Sequence, residues 1–159
     1  MTPRYVDHPG FRLVGRALTI RGDEAGTAVP AFWDRCIGEG IFETFARICG
    51  EEPPASYGLV DDADEVTGAW DYIIGVEADE TTEVPEGWVA RDYPARRYAV
   101  FAVEGPIPQA IQDAWAAILR NWLPNSGFVY DQCPSFERYT HEDPAALACE
   151  IWIPIRPVR

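Results

Sequence analysis

The sequence predicts an α+β domain: a strand-helix-strand-strand unit occurring twice, building an antiparallel sheet about a pseudo-two-fold axis with a ligand cleft between the halves. Three observations lead to it. Segments of period two alternate with segments of helical period. A polar stretch carrying Pro85 and Gly87 divides the 159 residues nearly in half. The order of elements before that divide recurs after it. One such unit leaves an apolar sheet face bare, and a second copy completes its burial. A chain of this length fits one domain, residues 1–159, with repeat one over about 11–78 and repeat two over about 88–156.

The first strand runs from Phe11 to Ile20, where Leu13, Gly15, Ala17 and Thr19 alternate with Arg12, Val14, Arg16 and Leu18 between Pro9-Gly10 and Arg21-Gly22. From Pro30 to about Cys49, the spacing of Trp33, Ile37, Ile41, Phe45 and Ile48 predicts a helical face, with Pro30 placed to start it. Gly38 and Gly40 each cost about 1 kcal/mol relative to Ala and weaken its middle, which leaves a break or two shorter helices open as the alternative to one continuous helix. Glu51-Glu52-Pro53-Pro54 ends it. Ser56–Val60 and Ala69–Ala78 then form a hairpin around an acidic turn from Asp61 to Gly68. After the divide, Arg96–Val103 is a strand, and Ile107, Ile111, Trp115, Ile118 and Trp122 mark an amphipathic helix stopped by Pro124 and Gly127. Ser135–Tyr139 and Leu147–Ile155 form a second hairpin around Glu142, Asp143 and Pro144.

Apolar residues make up 47% and aromatic residues 13% of the chain, enough to build a core. The formal charge of -13 opposes nucleic acid and anionic membrane as direct partners, because phosphate attraction needs clustered cations. All 13 basic residues are arginine, which excludes a lysine Schiff base, a lysine general base and a phosphate-loop lysine. Cys36, Cys49, Cys133 and Cys149 lack paired spacing and sit in or beside apolar runs, as buried thiols of a reducing cytoplasm do. No export signal or apolar run of about 18 residues appears. His8 and His141 stand apart from each other and from the cysteines, so no metal or other cofactor is expected. Asp61, Asp62, Asp64 and Glu65 lack the spacing of a calcium loop, and Ser56, Ser126 and Ser135 lie in no nucleophile elbow.

Three stretches, PEGWVARDYPARRYAVFAVEGP, FERYT and CEIWIPI, together resemble the GyrI-like family, whose domain also serves as the effector-binding module of AraC-type and multidrug-sensing regulators. The first, within Val84 to Pro106, resembles an inter-repeat strand, a Pro-containing turn and the opening strand of repeat two. The second, Phe136 to Thr140, resembles the penultimate strand. In the third, Glu150 precedes Trp152, Ile153 and Pro154 as the family's acidic residue precedes its last-strand aromatic, and the resemblance makes Glu150 the ligand residue. It covers about Phe11 to Arg156 and is specific mainly in the second half. No helix-turn-helix segment is visible, so the resemblance implies an effector domain standing without its DNA-binding partner.

A period of two puts Glu150 and Trp152 on one strand face, opposite Cys149, Ile151 and Ile153. A carboxylate beside an indole suits a cation, while an exposed face or an Arg pair would leave Glu150 merely structural. Aromatic faces add attraction of about 0.5 to 2 kcal/mol for a cation. Trp33, Tyr72, Trp115 and Trp152 are the main candidates, with Phe136 and Tyr139 a further pair; the helical spacing of Trp33 and Trp115 equally suits core packing. Tyr72 and Trp152 fall one position apart when Asp71–Val76 is laid against Glu150–Ile155. The leading expectation is a small-molecule-binding protein for cationic or amphipathic aromatic compounds. Some stand-alone relatives resemble hydrolases of reactive compounds, which would make Glu150 a general base. A third reading, from the acid-rich first half, is a protein partner of the gyrase-inhibitor kind.

Overall fold

The computed structural model describes residues 2–61, 66–106, 109–132, 134–140 and 148–158. Among the described residues nine strands, all paired antiparallel, form the sheet. They are β1 (Arg4–His8), β2 (Phe11–Ile20), β3 (Ala55–Val60), β4 (Trp70–Glu77), β5 (Val89–Tyr93), β6 (Arg96–Val103), β7 (Phe128–Tyr130), β8 (Ser135–Thr140) and β9 (Ala148–Pro157). Their order is β1-β6-β9-β8-β3-β4-β2-β5, with β7 added alongside β9. The two halves meet at the β3–β8 ladder, where Gly58 pairs with Glu137 and Ser56 with Tyr139. From that seam the strands run β3-β4-β2-β5 one way and β8-β9-β6-β1 the other. The α+β class with an antiparallel sheet is as the sequence predicted.

This sheet cannot lie flat. Six inter-strand steps separate β1 from β2, about 29 Å at the usual ladder spacing, yet only Pro9 and Gly10 join them. The sheet is therefore rolled. Its helix-free side closes on a core that includes Leu13, Tyr57, Ile73, Tyr98, Phe136 and Trp152. Phe11 of β2 meets Phe136 of β8 across it, ring centroids 5.5 Å apart.

The other side carries the helices: α1 (Ala25–Gly38) and α2 (Ile41–Cys49) over the first half, α3 (Gln109–Ala117) over the second. A π-helical turn, Ile118–Trp122, and a short α4, Leu123–Asn125, continue α3. Phe32, Cys36, Ile41 and Phe45 pack on Ile20, Tyr72, Ile74 and Val76. Ala114 and Ile118 pack on Ala99, Phe101, Ile151 and Ile153.

Several expectations need correction. The first helix starts five residues before Pro30, which lies inside it, where the missing N–H costs one intrahelical hydrogen bond. A single stripe through Ile37 and Ile41 does not form, because Gly40 takes the left-handed conformation at φ 81° and restarts the helix in a new direction. Ile37 is consequently 49% exposed, and α1 buries Phe32 and Cys36 instead. Pro124 falls within α4, so it does not end the helical run. Strands β1 and β7 were not foreseen, being short segments with little alternation. Ile107, Cys133, His141, Glu142, Asp143, Pro144, Leu147 and the acids Asp62, Asp64 and Glu65 lie outside the described residues. Among the described residues no helix is long and apolar enough to cross a membrane.

Candidate functional site

The seam between the halves holds an ionisable side chain that the sequence reading passed over. Glu137, in the middle of β8, is 7% exposed. Alternation along Ser135–Thr140 sends Glu137 and Tyr139 to the helix side of the sheet and Phe136 and Arg138 to the rolled-in side. Opposite Glu137 on β3 stands Gly58. A Cβ at this glycine would come within 2.0 Å of the Tyr72 hydroxyl and 3.0 Å of Glu137 Oε1. The missing side chain is what lets Tyr72 reach from β4 over β3 to β8.

Four aromatic residues converge there. Tyr72 Oη donates to Glu137 Oε1 at 2.9 Å, and Tyr139 Oη donates to the same oxygen at 2.7 Å. Trp115 Nε1, from α3, donates to Glu137 Oε2 at 2.9 Å. Trp33 Nε1, from α1, donates to Tyr72 Oη at 2.9 Å, and its ring meets the edge of Tyr139 at 5.1 Å. Each helical layer thus contributes one tryptophan to the surroundings of one carboxylate. All three donors to Glu137 are neutral, and among the described residues no ion pair involves Glu137.

Burial raises the Glu137 carboxyl above its ordinary value, against the opposing pull of the hydrogen bonds from Tyr139, Trp115 and Tyr72. Burial and the adjacent carboxylate push the Tyr72 and Tyr139 hydroxyls up as well, so both stay protonated donors at neutral pH. Burial is also the main cause raising the Cys149 thiol beside them. The arrangement is an ionisable oxygen pair in an aromatic cradle, satisfied by hydrogen bonds and lacking a counter-charge among the described residues.

Of the seven residues nominated from sequence, Trp33, Tyr72, Trp115 and Tyr139 are brought together here. Glu150, Trp152 and Phe136 are not. Glu150 and Trp152 face the rolled-in side, where Glu150 Oε2 takes Arg4 Nη1 in an ion pair, Trp152 Nε1 donates to Oε1 at 3.3 Å, and Arg138 Nη1 lies 3.7 Å away. Burial alone would raise its carboxyl, but Arg4, Trp152 and Arg138 outweigh it and hold the group below its ordinary value. Its charge is already balanced within the chain. Phe136 stacks on Trp152 with centroids 5.3 Å apart. Glu150, which the resemblance made the ligand residue, is thus paired to arginine within the chain, whereas Glu137 is the buried carboxylate held by neutral donors alone. The same signal was present for both: an acid two residues from an aromatic on a strand, in Glu137 and Tyr139 as in Glu150 and Trp152. Among the described residues, no three His, Cys, Asp or Glu side chains group to hold a metal ion.

A rolled antiparallel sheet with two helical layers and a buried seam between them defines a GyrI-like effector-binding domain. Residues 4–155 match the Cass2 family of integron-associated effector binding proteins, and the chain belongs to that family. It is 32% identical over 161 residues to the transcriptional regulator BrlR of Pseudomonas aeruginosa, an alignment covering 98% of this chain and 56% of that protein. The chain thus spans little more than half the length of this curated relative. Among solved structures it is similar to SAV2435 bound to tetraphenylphosphonium, with a TM-score of 0.83 and 23% identity over 98% of this chain and 94% of the other. The integron cassette protein VCH_CASS2 of Vibrio cholerae gives a TM-score of 0.72 and 18% identity, covering 98% and 97%. Both likenesses are of fold.

Proposed function

We propose that this chain is a receptor for lipophilic organic cations, which enter between the two helical layers and settle against Glu137 with Trp33, Tyr72, Trp115 and Tyr139 around them. The observation that carries the reading is the buried carboxylate held only by neutral donors. An ionised acid in such a place is costly, and a cation without strong hydration of its own relieves that cost while its apolar groups take up aromatic surface. The fold neighbour solved with tetraphenylphosphonium supports this class of ligand. The regulator among the relatives supports a sensing role in which ligand occupancy is passed on to a partner.

The test is a tryptophan-fluorescence titration with tetraphenylphosphonium and with neutral triphenylphosphine oxide, using the wild type and Glu137→Gln. Preference for the cation that disappears in the variant supports the reading, and equal affinity for both compounds in the wild type overturns it. The hydrolase reading, drawn on Glu150 as general base, is served by Glu137 as well. Mass spectrometry of compounds recovered after incubation with the protein separates the two, since a receptor returns its ligand unchanged.

A further inference from the structure

At 7% exposure, Glu137 can be reached from outside only after something moves. Two half-buried indoles stand over it, one from each helical layer. They are not equivalent. Trp33 Nε1 donates to Tyr72 Oη, and its ring is braced edge-on against Tyr139. Trp115 Nε1 donates to the acid itself, at Oε2. Its indole rests against the second-half core from the side, and among the described residues no aromatic ring pairs with it. Trp115 therefore stands between solvent and the one carboxylate oxygen that the tyrosines leave alone.

The two layers are also fastened differently. α1 sinks Phe32 and Cys36 into the first-half core with Ala25, Val29 and Trp33 beside them, and Glu39, just after it, pairs with Arg16 of β2. α3 buries only Ile111 and Ala114. Among the described residues the Trp115–Glu137 bond is its one side-chain hydrogen bond to the sheet. Directly after α3 the backbone ladder changes. The Leu123 N–H reaches back five residues to the Ile118 carbonyl, the π-helical spacing, and Pro124 follows with no N–H to donate. Neither Arg120, four residues before Pro124, nor Leu119, five before it, can take a bond from that position. Helices bend where proline or a π-turn interrupts the ladder, and here the two coincide.

We infer that Trp115 is the lid of the Glu137 site and that α3 lifts it, swinging on the π-turn at Ile118–Trp122, while Trp33, Tyr72 and Tyr139 remain as a fixed wall; what passes beneath the lid rests on the receptor reading, the motion itself does not. The chain beyond the pivot is held. Ile118 is fully buried, and Trp122 meets Phe101 at 4.9 Å and stacks on Phe128 at 6.4 Å. On the moving side little apolar surface is given up, since one of the two buried residues of α3 is an alanine. Lifting the indole removes the single donor of Oε2 and leaves both tyrosine bonds on Oε1, so the acid stays in place as it is uncovered. A cation then occupies the position that the indole N–H vacates, and Trp115 comes to rest against the ligand instead of the acid. Because the ligand binds only the open form, opening and binding are one linked equilibrium.

The experiment is 15N relaxation dispersion on the intact, uniformly labelled chain without ligand. The Trp115 indole and the amides of Gln109–Ala117 should show microsecond-to-millisecond exchange with an open form populated to about 0.1–10%, and the Trp33 indole and the α1 amides should not. The Trp115 indole N–H should also exchange with deuterium at least about tenfold faster than that of Trp33. Pro124→Ala restores the missing N–H and should slow the α3 motion at least about tenfold. Exchange in α1 with α3 quiet, exchange at neither indole, or an α3 motion unchanged by Pro124→Ala would each overturn the inference. Tetraphenylphosphonium separates it from the receptor reading: α3 exchange without any binding keeps the lid and removes the receptor, whereas binding with α3 quiet removes the lid and keeps the receptor. Should Pro124→Ala fail to fold, as judged by near-ultraviolet circular dichroism, the comparison of Trp115 with Trp33 in the wild type decides by itself.

Discussion

Replacing Glu137 by Gln tests the centre of the proposed receptor with the least change of shape. The amide can be accommodated. Trp115 Nε1 is a donor only, so the carbonyl of the introduced amide must turn toward it, and the new NH2 then faces Tyr72 and Tyr139, whose hydroxyls rotate to accept. Because burial holds the Glu137 carboxyl above its unfolded value, the wild type loses stability as pH rises from that unfolded value through the folded one. The amide lacks this loss, so the Tm of the variant at pH 7 should equal or exceed that of the wild type. The effect on binding is separate. A cationic centre kept about 6 Å from the carboxylate by its own phenyl groups gains about 3 kcal/mol at an effective dielectric of about 20. At 1.4 kcal/mol per decade, the variant should bind tetraphenylphosphonium about a hundredfold more weakly. Fluorescence titration, with Trp33 and Trp115 beside the ligand as reporters, measures the ratio directly. A variant of normal Tm that binds within twofold of wild type would refute the assignment of the counter-charge.

Three further outcomes follow from the same geometry. Gly58→Ala drives a methyl into the Tyr72 hydroxyl; this overpacking should cost about 1–3 kcal/mol, read by thermal melting as about 2–4 °C lost per kcal/mol, and should weaken the cation along with the Tyr72 bond. Cation binding should fade as pH drops through the raised Glu137 value, and Trp115→Phe, by deleting one of the three bonds that favour the ionised form, should move the midpoint of that loss to higher pH in titrations across pH 4.5–8. Glu150→Gln should leave tetraphenylphosphonium affinity unchanged and cost at most about 1 kcal/mol, since its main partner Arg4 has a side chain 55% exposed. Because the Glu150 carboxyl is held below its ordinary value, the stability it adds is present above the unfolded value and lost as pH falls through the folded one. Denaturation curves of variant and wild type should therefore converge in acid.

Much of this architecture was legible because burial writes a period into the chain. The runs from Phe11, Arg96 and Ser135 alternate, and they are strands within a residue of the predicted bounds. The stripe from Ile111 to Trp122 is helical and packs its Ile111 and Ile118 inward. What lacked a signal was what depends on distant pairing. Strand β1 is an edge of five residues whose side chains are mostly not buried, so sequence alone leaves no alternation to detect. Pro30 looked like a helix start because proline favours the first turn, yet five residues before it are helical, and packing of Ala25 and Val29 against the first-half core accompanies them.

The site divides along the same line. The aromatic residues of the cradle could be nominated one at a time, because large apolar side chains at regular spacing must be buried somewhere. The choice between two carboxylates could not, since it turns on which of them meets a cation folded in from elsewhere. Arg4 lies 146 residues from Glu150 and reaches it only because β1 crosses to pair with β6, next to β9. Among the described residues none plays that part for Glu137: its strand neighbours across the seam are Gly58 on one side and Ile151 on the other, and the helices above offer indole N–H groups. Two acids with the same local pattern, each two residues from an aromatic, therefore end with opposite roles. One is paired with Arg4 and Arg138, and the other, held by neutral donors alone, is the one the proposed function gives to a ligand. A substitution that supplied the missing cation, such as Gly58→Arg, would not mimic a ligand, because the space above Gly58 is already filled by Tyr72. On the proposed reading, the counter-charge comes from a ligand between Trp33 and Trp115, and the Glu137→Gln titration decides whether it does.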